Sequence, residues 1–143
     1  MGGLLREVIR SIPGLTTAGA VKGFFFGVKR QDWGRVVMNM ETRKLIEAIE
    51  PNKLSVLEIS GKYWGKIMKF KEYKMVNYPE YDLCSAPLAE TFDLILVEQV
   101  FEHLLWPYRA ARNVYQMLNP SGYLLVTVPF LVRIHGYPID CTR

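Results

Sequence analysis

Cysteine is almost absent from this chain: Cys84 and Cys141 are the only two, far apart and in no C-x-x-C or other metal-binding spacing. That excludes a disulfide-stapled scaffold and a cysteine-ligated metal module, and fits a reduced protein with two free thiols. Long apolar runs are missing too. A membrane span needs about 18 consecutive apolar residues, and the richest stretch, Ala18 to Val28, is short and broken by Lys22. Arg6, Glu7 and Arg10 interrupt the apolar residues near the start, so no secretory signal is expected. Met1-Gly2-Gly3 begins like a myristoylation site but places Arg6 where Ser or Thr is wanted. The cytoplasm is the expected location. Charge of one sign is also in short supply: 18 Lys and Arg stand against 14 Asp and Glu, a net +4. So small an excess gives anionic partners little hold, and nucleic acid is not an expected partner. Internal repeats and low-complexity segments are lacking as well.

What is present is an ordinary globular composition, half hydrophobic and 22% charged over 143 residues. A chain of that length forms one domain and buries roughly two thirds of its unfolded surface. Leu4, Leu5, Val8, Ile9 and Ile12 fall on one helical face, stopped by Pro13-Gly14. Thr16 to Arg30 follows, with Phe24-Phe25-Phe26 read as packing on the core ahead of forming a lid over a pocket or a membrane-surface contact. A second helix is expected from Val36 to Ile49, with Val37, Met38, Leu45, Ile46 and Ile49 as its apolar members. Residues 1–53 thus read as an N-terminal helical extension or lid, and 54–143 as the core.

The core begins with Ser55-Val56-Leu57-Glu58-Ile59-Ser60-Gly61. Near-continuous apolar character over so few residues suits a strand buried on both faces of a parallel sheet. Ser60 and Gly61 then let the backbone turn and approach a ligand. The pattern changes next to a period near 3.6, with Tyr63, Ile67 and Phe70 in one stripe and Lys62, Lys66 and Lys69 in another. This predicts an amphipathic helix whose positive end faces the strand's end and whose lysines form a solvated face. Tyr73 to Tyr78 and Phe92 to Val97 are the next strands. Val100 to Leu105 is a helical turn, Pro107 opens a helix through Leu118, and Ala111, Val114 and Leu118 are its buried face. Asn119-Pro120-Ser121-Gly122 is a turn, and Tyr123 to Val128 is the fourth strand. Strands alternating with helices make a parallel α/β sheet.

In a doubly wound sheet, ligands bind outside the carboxyl ends of the strands where the winding reverses. Ser60, Gly61, Asn77, Asp82 and the Glu98-Gln99 corner collect there, and Asn77 lies 19 residues beyond Glu58. That is close to the spacing of a ribose-binding residue, and points to a nucleotide-like ligand. A nicotinamide-dependent enzyme would need the three-glycine fingerprint, which is absent.

The order of the pieces is more specific. Val56-Leu57-Glu58-Ile59-Ser60-Gly61, Asp82-Leu83 ahead of Pro87-Leu88, Phe92-Asp93-Leu94-Ile95, Val100-Phe101-Glu102-His103-Leu104 and Leu118-Asn119-Pro120-Ser121-Gly122-Tyr123-Leu124 together resemble the class I S-adenosylmethionine-dependent methyltransferases. The resemblance, to the type 11-like branch, covers about Leu54 to Arg143. It implies a reduced, doubly wound Rossmann-like sheet, S-adenosyl-L-methionine as cofactor, and methyl transfer to a small-molecule or glycan-precursor acceptor. Under it Glu58 would meet the methionine amine, and Ser60 and Gly61 would let the backbone pass close to methionine and ribose. Asn77 would face the ribose, Asp82 the adenine amino group, and the Leu83 N–H a ring nitrogen. Val97, Glu98 and Gln99 would line the floor beneath the sulfonium. His103 and His135 are the candidate bases where the acceptor must lose a proton. No metal is expected, since the spacing of His135, Asp140 and Cys141 asks for none.

The sequence also departs from that pattern. Ser60 replaces the first glycine of the loop, and Lys62-Tyr63-Trp64 fills positions usually small. Asn77 stands for an acid, and only four residues separate it from Asp82. A parallel crossover needs about ten or more, so the helix and strand usually found between them are expected to be missing. The chain stops just past the fourth strand, without the usual C-terminal strand pair, which predicts an exposed apolar edge and pairing of two copies along it. A non-catalytic methyltransferase-like binding or regulatory module is the alternative function. Glu58 also has a plain structural role open to it, capping the helix that follows.

Overall fold

The structure, a computed structural model, describes residues 33–130, 134, 136 and 138–142. The expected first helix and the Phe24-Phe25-Phe26 stretch lie outside them. The chain divides into two compact units, Met1–Asn39 and Met40–Arg143. Helix α1 (Trp33–Glu47) runs from the first into the second. It starts earlier and ends sooner than its apolar pattern predicts. Its buried residues are Thr42 and Ile46, while Leu45 is 60% exposed. Residues four apart share a face, and Leu45 lies about 100° round from the face that carries Ile46.

The second unit is built on strands β1 (Ser55–Ile59), β2 (Glu72–Val76), β3 (Phe92–Glu98) and β4 (Leu118–Thr127). They form one sheet in the order β2-β1-β3-β4, with every pairing parallel. From β1 the chain goes outward to β2 and then crosses back to β3 on β1's other side. The winding therefore reverses between β1 and β3. This is the expected reduced, doubly wound sheet. Among the described residues, no helix or strand stands between β2 and β3.

Both faces of the central strands are buried, which is why they read as nearly continuous apolar runs. Leu57, Ile59, Ile95 and Val97 face helix α3 (Pro107–Met117), with its Ala110, Val114 and Met117, together with Leu83. Val56, Leu94 and Leu96 face the other way, onto Ile46 and Trp64. The period of two along each strand sorts the side chains into these two cores.

Three expectations are corrected. The helix after Gly61 is a single turn, α2 (Trp64–Ile67), and its buried residue is Trp64, whereas Tyr63 and Ile67 are exposed. Residues 60–71 must return the chain along the whole of β1, because Ser55 pairs with Glu72. Within that return only Trp64–Ile67 are helical. Lys62, Lys66 and Lys69 are exposed, the solvated face expected of them. Helix α3 buries Ala110, Asn113, Val114 and Met117 and leaves Ala111 exposed, with the Asn113 amide donating to the Leu83 carbonyl at 2.7 Å, while Leu118 just beyond it packs on the core as expected. Finally, β4 begins at Leu118, not Tyr123. Leu118 pairs with Phe92 and Tyr123 with Leu94, so the expected turn survives as a bulge inside the strand. A Cβ at Gly122 would lie 2.9 Å from the Asn119 carbonyl, which explains the glycine there.

The outer edge of β4 has no strand beside it among the described residues, and Tyr123, Leu124, Val126 and Val128 are all more than a third exposed. No helix among the described residues is long and apolar enough to cross a membrane.

Candidate functional site

The residues that follow β1 and β3 share an unusual backbone. Ser60 has φ 60° and Gln99 φ 54°, the left-handed region that disfavours any residue with a Cβ. Each turns the chain at its strand's carboxyl end and ties it to the strand outside. The Ser60 N–H donates to the Val76 carbonyl at 2.8 Å, and the Gln99 N–H to the Thr127 carbonyl at 2.9 Å. The Gln99 amide also donates to the Thr127 hydroxyl at 3.3 Å. Ser60 carries no bulk that its neighbours use, so Ser60→Gly is expected to stabilise the fold by about 0.5–1 kcal/mol in urea denaturation.

Between these turns opens a cavity of about 650 Å³, within the range of small-molecule sites. Of the residues singled out in the sequence, Ser60, Asp82, Leu83, Gln99 and His103 line it. Glu58, Gly61, Asn77, Val97 and Glu98 do not. His135 lies outside the described residues. Pro138, Ile59, Val100, Leu104 and Leu105 complete the wall, and Tyr78, Tyr81, Cys84 and Trp106 line it without having been anticipated. The aromatic pair beside the β2 strand end was the only signal available for them.

The Asp82 corner is a tight turn held by its own side chain. Asp82 Oδ1 accepts from the Cys84 N–H at 2.8 Å, and its carbonyl accepts from the Ser85 N–H at 3.0 Å and the Ser85 hydroxyl at 2.7 Å. Leu83 is buried beneath, with its carbonyl held by Asn113. The Tyr81 hydroxyl donates to the Ala86 carbonyl at 2.9 Å. Burial pushes its phenol above the usual value, with the Asp82 charge adding to the effect. Burial also raises the Cys84 thiol, helped by Asp82, so Cys84 is a protonated wall residue rather than a nucleophile.

Glu58 points elsewhere. It is 3% exposed; its Oε1 accepts from the Tyr63 N–H at 2.9 Å, and Oε2 from the Trp64 and Gly65 N–H groups at 3.2 and 3.4 Å and the Tyr73 hydroxyl at 2.5 Å. A Cβ at Gly61 would overlap Oε1. Glu98 Oε2 accepts from the Trp64 indole at 2.8 Å. Asn77 is exposed, its amide against the Met75 sulfur at 2.7 Å, and Val97 is wholly in the core. Among the described residues no group of three potential ligands could hold a metal ion.

A parallel α/β sheet whose winding reverses beside a strand-end cavity defines the nucleotide-binding class of doubly wound domains. Residues 47–126, more than half of the chain, match the model of the methyltransferase domain family, and the chain belongs to that family. Among solved structures it is similar to the N-methyltransferase NodS from Bradyrhizobium japonicum WM9 in complex with S-adenosyl-L-homocysteine. Identity there is 22% and the TM-score 0.49, covering 62% of this chain and 60% of that one. A second NodS structure from the same organism gives 21% identity and a TM-score of 0.47, covering 62% and 66%. The chain thus spans less than two thirds of the length of these proteins. No curated protein matches it.

Proposed function

We propose that this domain binds S-adenosyl-L-methionine in the strand-end cavity and transfers its methyl group to a small-molecule or glycan-precursor acceptor. The observation that carries this reading is the cavity itself. In a chain of the methyltransferase domain family, it brings Ser60, Asp82, Leu83 and Gln99 to the reversal point of the sheet. The lining suits the cofactor chemically: a carboxylate and a backbone turn for an adenine edge, aromatic rings for a planar face, and two sharply turned strand ends for close backbone approach.

When bound, the cofactor supplies a methyl group on a sulfonium that loses its charge on transfer. The chain's part is alignment, which accounts for much of the rate in such displacements. Asp82 would accept from the adenine amino group, and the Leu83 N–H would meet a ring nitrogen. Ser60 and Gln99 would pass the backbone beside ribose and methionine. Tyr78, Tyr81 and Trp106 would keep water from the nucleoside. Glu58 would act at one remove, by shaping the loop after β1. Of the two histidines considered as bases, His103 lines the cavity wall and His135 lies outside the described residues.

Calorimetric titration with S-adenosylhomocysteine tests this reading. The wild-type chain is expected to bind saturably, and Asp82→Ala to weaken binding by about 10- to 100-fold, the equivalent of one charge-assisted hydrogen bond. A folded wild-type sample that releases no heat overturns it. That outcome favours a non-catalytic module, a reading supported by Glu58, whose carboxylate is already held by four donors of its own chain.

A further inference from the structure

His103 ends the short 3₁₀ turn Phe101–His103 after β3, and its ring does not stand alone in the cavity wall. Its Nδ1 lies 3.0 Å from the Ile139 carbonyl, a hydrogen bond that places the proton on Nδ1. Asp140 Oδ1 is 3.6 Å from the same nitrogen, and Glu102 Oε1 is 3.7 Å from Nε2. Those two carboxylates are 1% and 2% exposed, and both distances exceed a hydrogen bond. They act on the ring by charge when it is protonated. The backbone on either side completes the junction. The Cys141 and Thr142 N–H groups donate to the Glu102 carbonyl at 2.6 and 3.2 Å, and the Thr142 hydroxyl donates to the Phe101 carbonyl at 2.9 Å. Gly136 and Ile139 pair as an antiparallel bridge, and Pro138 between them is part of the cavity wall.

We infer that His103 is a positioning residue: through Nδ1 it pins the 138–142 segment onto the turn after β3 and so sets Pro138 as one wall of the ligand cavity. The geometry asks for this because five polar contacts tie three residues of the turn, Phe101, Glu102 and His103, to four consecutive residues of the segment. Of these three turn residues, His103 is the one that also lines the cavity. The inference rests on the cofactor-binding reading for the identity of the ligand, but not for the clamp itself.

Hydrogen exchange and calorimetry on the full chain separate the two. In His103→Ala, the Cys141 and Thr142 amides are expected to exchange at least about tenfold faster, while the Leu57 and Ile95 amides of the core keep their protection. S-adenosylhomocysteine binding is expected to weaken by about tenfold, as for one lost hydrogen bond. His103→Asn places an amide donor where Nδ1 was and should restore both to within about threefold of wild type. His103→Gln places its donor near the Nε2 position and should restore neither. Unchanged exchange of Cys141 and Thr142 in His103→Ala overturns the clamp, as does rescue by Gln without rescue by Asn. If the wild-type chain fails to bind S-adenosylhomocysteine, the cofactor reading falls, and the exchange arm still decides the clamp.

Discussion

Glu58→Ala is expected to destabilise the domain by about 4 kcal/mol, measured as a shift of the urea midpoint at constant m-value. The carboxylate is nearly inaccessible and accepts from three backbone N–H groups and a phenol. Each donor left unsatisfied in a buried position costs about 1–3 kcal/mol. Tyr63 and Gly65 are exposed, so their N–H groups recover water and the simple sum is an overestimate. Trp64 is wholly buried and carries most of the loss, while Tyr73 is 38% exposed and recovers part of its share from water. The Tyr73 phenol is held well above its ordinary value, by burial first and by Glu58 second, and stays a donor throughout the accessible pH range. Glu58→Gln should cost about half as much, because one amide oxygen can still accept while its NH₂ faces donors. Should Glu58→Ala stay within about 1 kcal/mol of wild type and lose only S-adenosylhomocysteine binding, the carboxylate serves the ligand rather than the loop.

That expectation explains the odd composition of the loop after β1. Gly61 is required because a side chain there would overlap Glu58, and Gly65 because one would overlap the Tyr73 ring. Both glycines therefore serve the bonds around Glu58. Trp64, at a position where the resemblance leads one to expect a small residue, fills the second core and donates to Glu98 at the end of β3. The loop after β1 is thus held by side-chain hydrogen bonds more than by glycine flexibility, and its left-handed residue beside the cavity is Ser60, as Gln99 is after β3.

How much of this was legible in the sequence follows from the range of the interactions involved. The strands were, because burial on both faces writes an apolar run directly into neighbouring residues: Val56 to Ile59 and Phe92 to Val97 are the two central strands. The missing elements between Asn77 and Asp82 followed from chain length alone. The helix after Gly61 was misjudged because its period of 3.6 is a local signal, while the length of chain needed to reach β2 is a tertiary demand. The start of β4 was hidden by turn residues that the strand accommodates as a bulge. Within the site, Asp82, Leu83, Ser60, Gln99 and His103 were found from their places at strand ends. Trp106 was not, since nothing local marks a residue that meets the cavity from a distant segment. The three N–H donors to Glu58 match the capping role open to it in the sequence, whereas the Tyr73 hydroxyl escaped for the same reason, since it comes from the adjacent strand.

The same logic applies at the opposite end of the sheet, where Asp93→Ala is expected to cost about 3 kcal/mol without touching the cavity. Asp93 Oδ2 accepts from the Ser55 N–H and hydroxyl, both at 2.8 Å, and Oδ1 from the Asn119 amide at 2.8 Å. The Ser55 hydroxyl in turn accepts from the Asp93 N–H at 3.1 Å. One side chain on β3 thereby fixes the start of β1 and the bulge in β4, setting the register of three strands at once. These bonds hold the Asp93 carboxyl below its ordinary value of 3.8, with the Ser55 N–H the largest cause, then Asn119 and the Ser55 hydroxyl. A carboxylate whose folded value is lowered contributes its stability above the unfolded value, and loses it as pH falls through the folded one. The stability gap between wild type and Asp93→Ala should therefore be full at neutral pH and narrow as the pH falls below the ordinary value of 3.8. Asp93→Asn should lose about 1.5 kcal/mol at neutral pH, because Asn119 can turn its amide to meet the new donor while the remaining oxygen still serves Ser55. Urea melts of the three proteins across that range decide the matter. A gap that stays constant down to pH 2 would assign the loss to packing rather than to the charge. Intact S-adenosylhomocysteine binding by folded Asp93→Asn would show that the register network and the cavity lie at opposite ends of the same strands and answer to different residues.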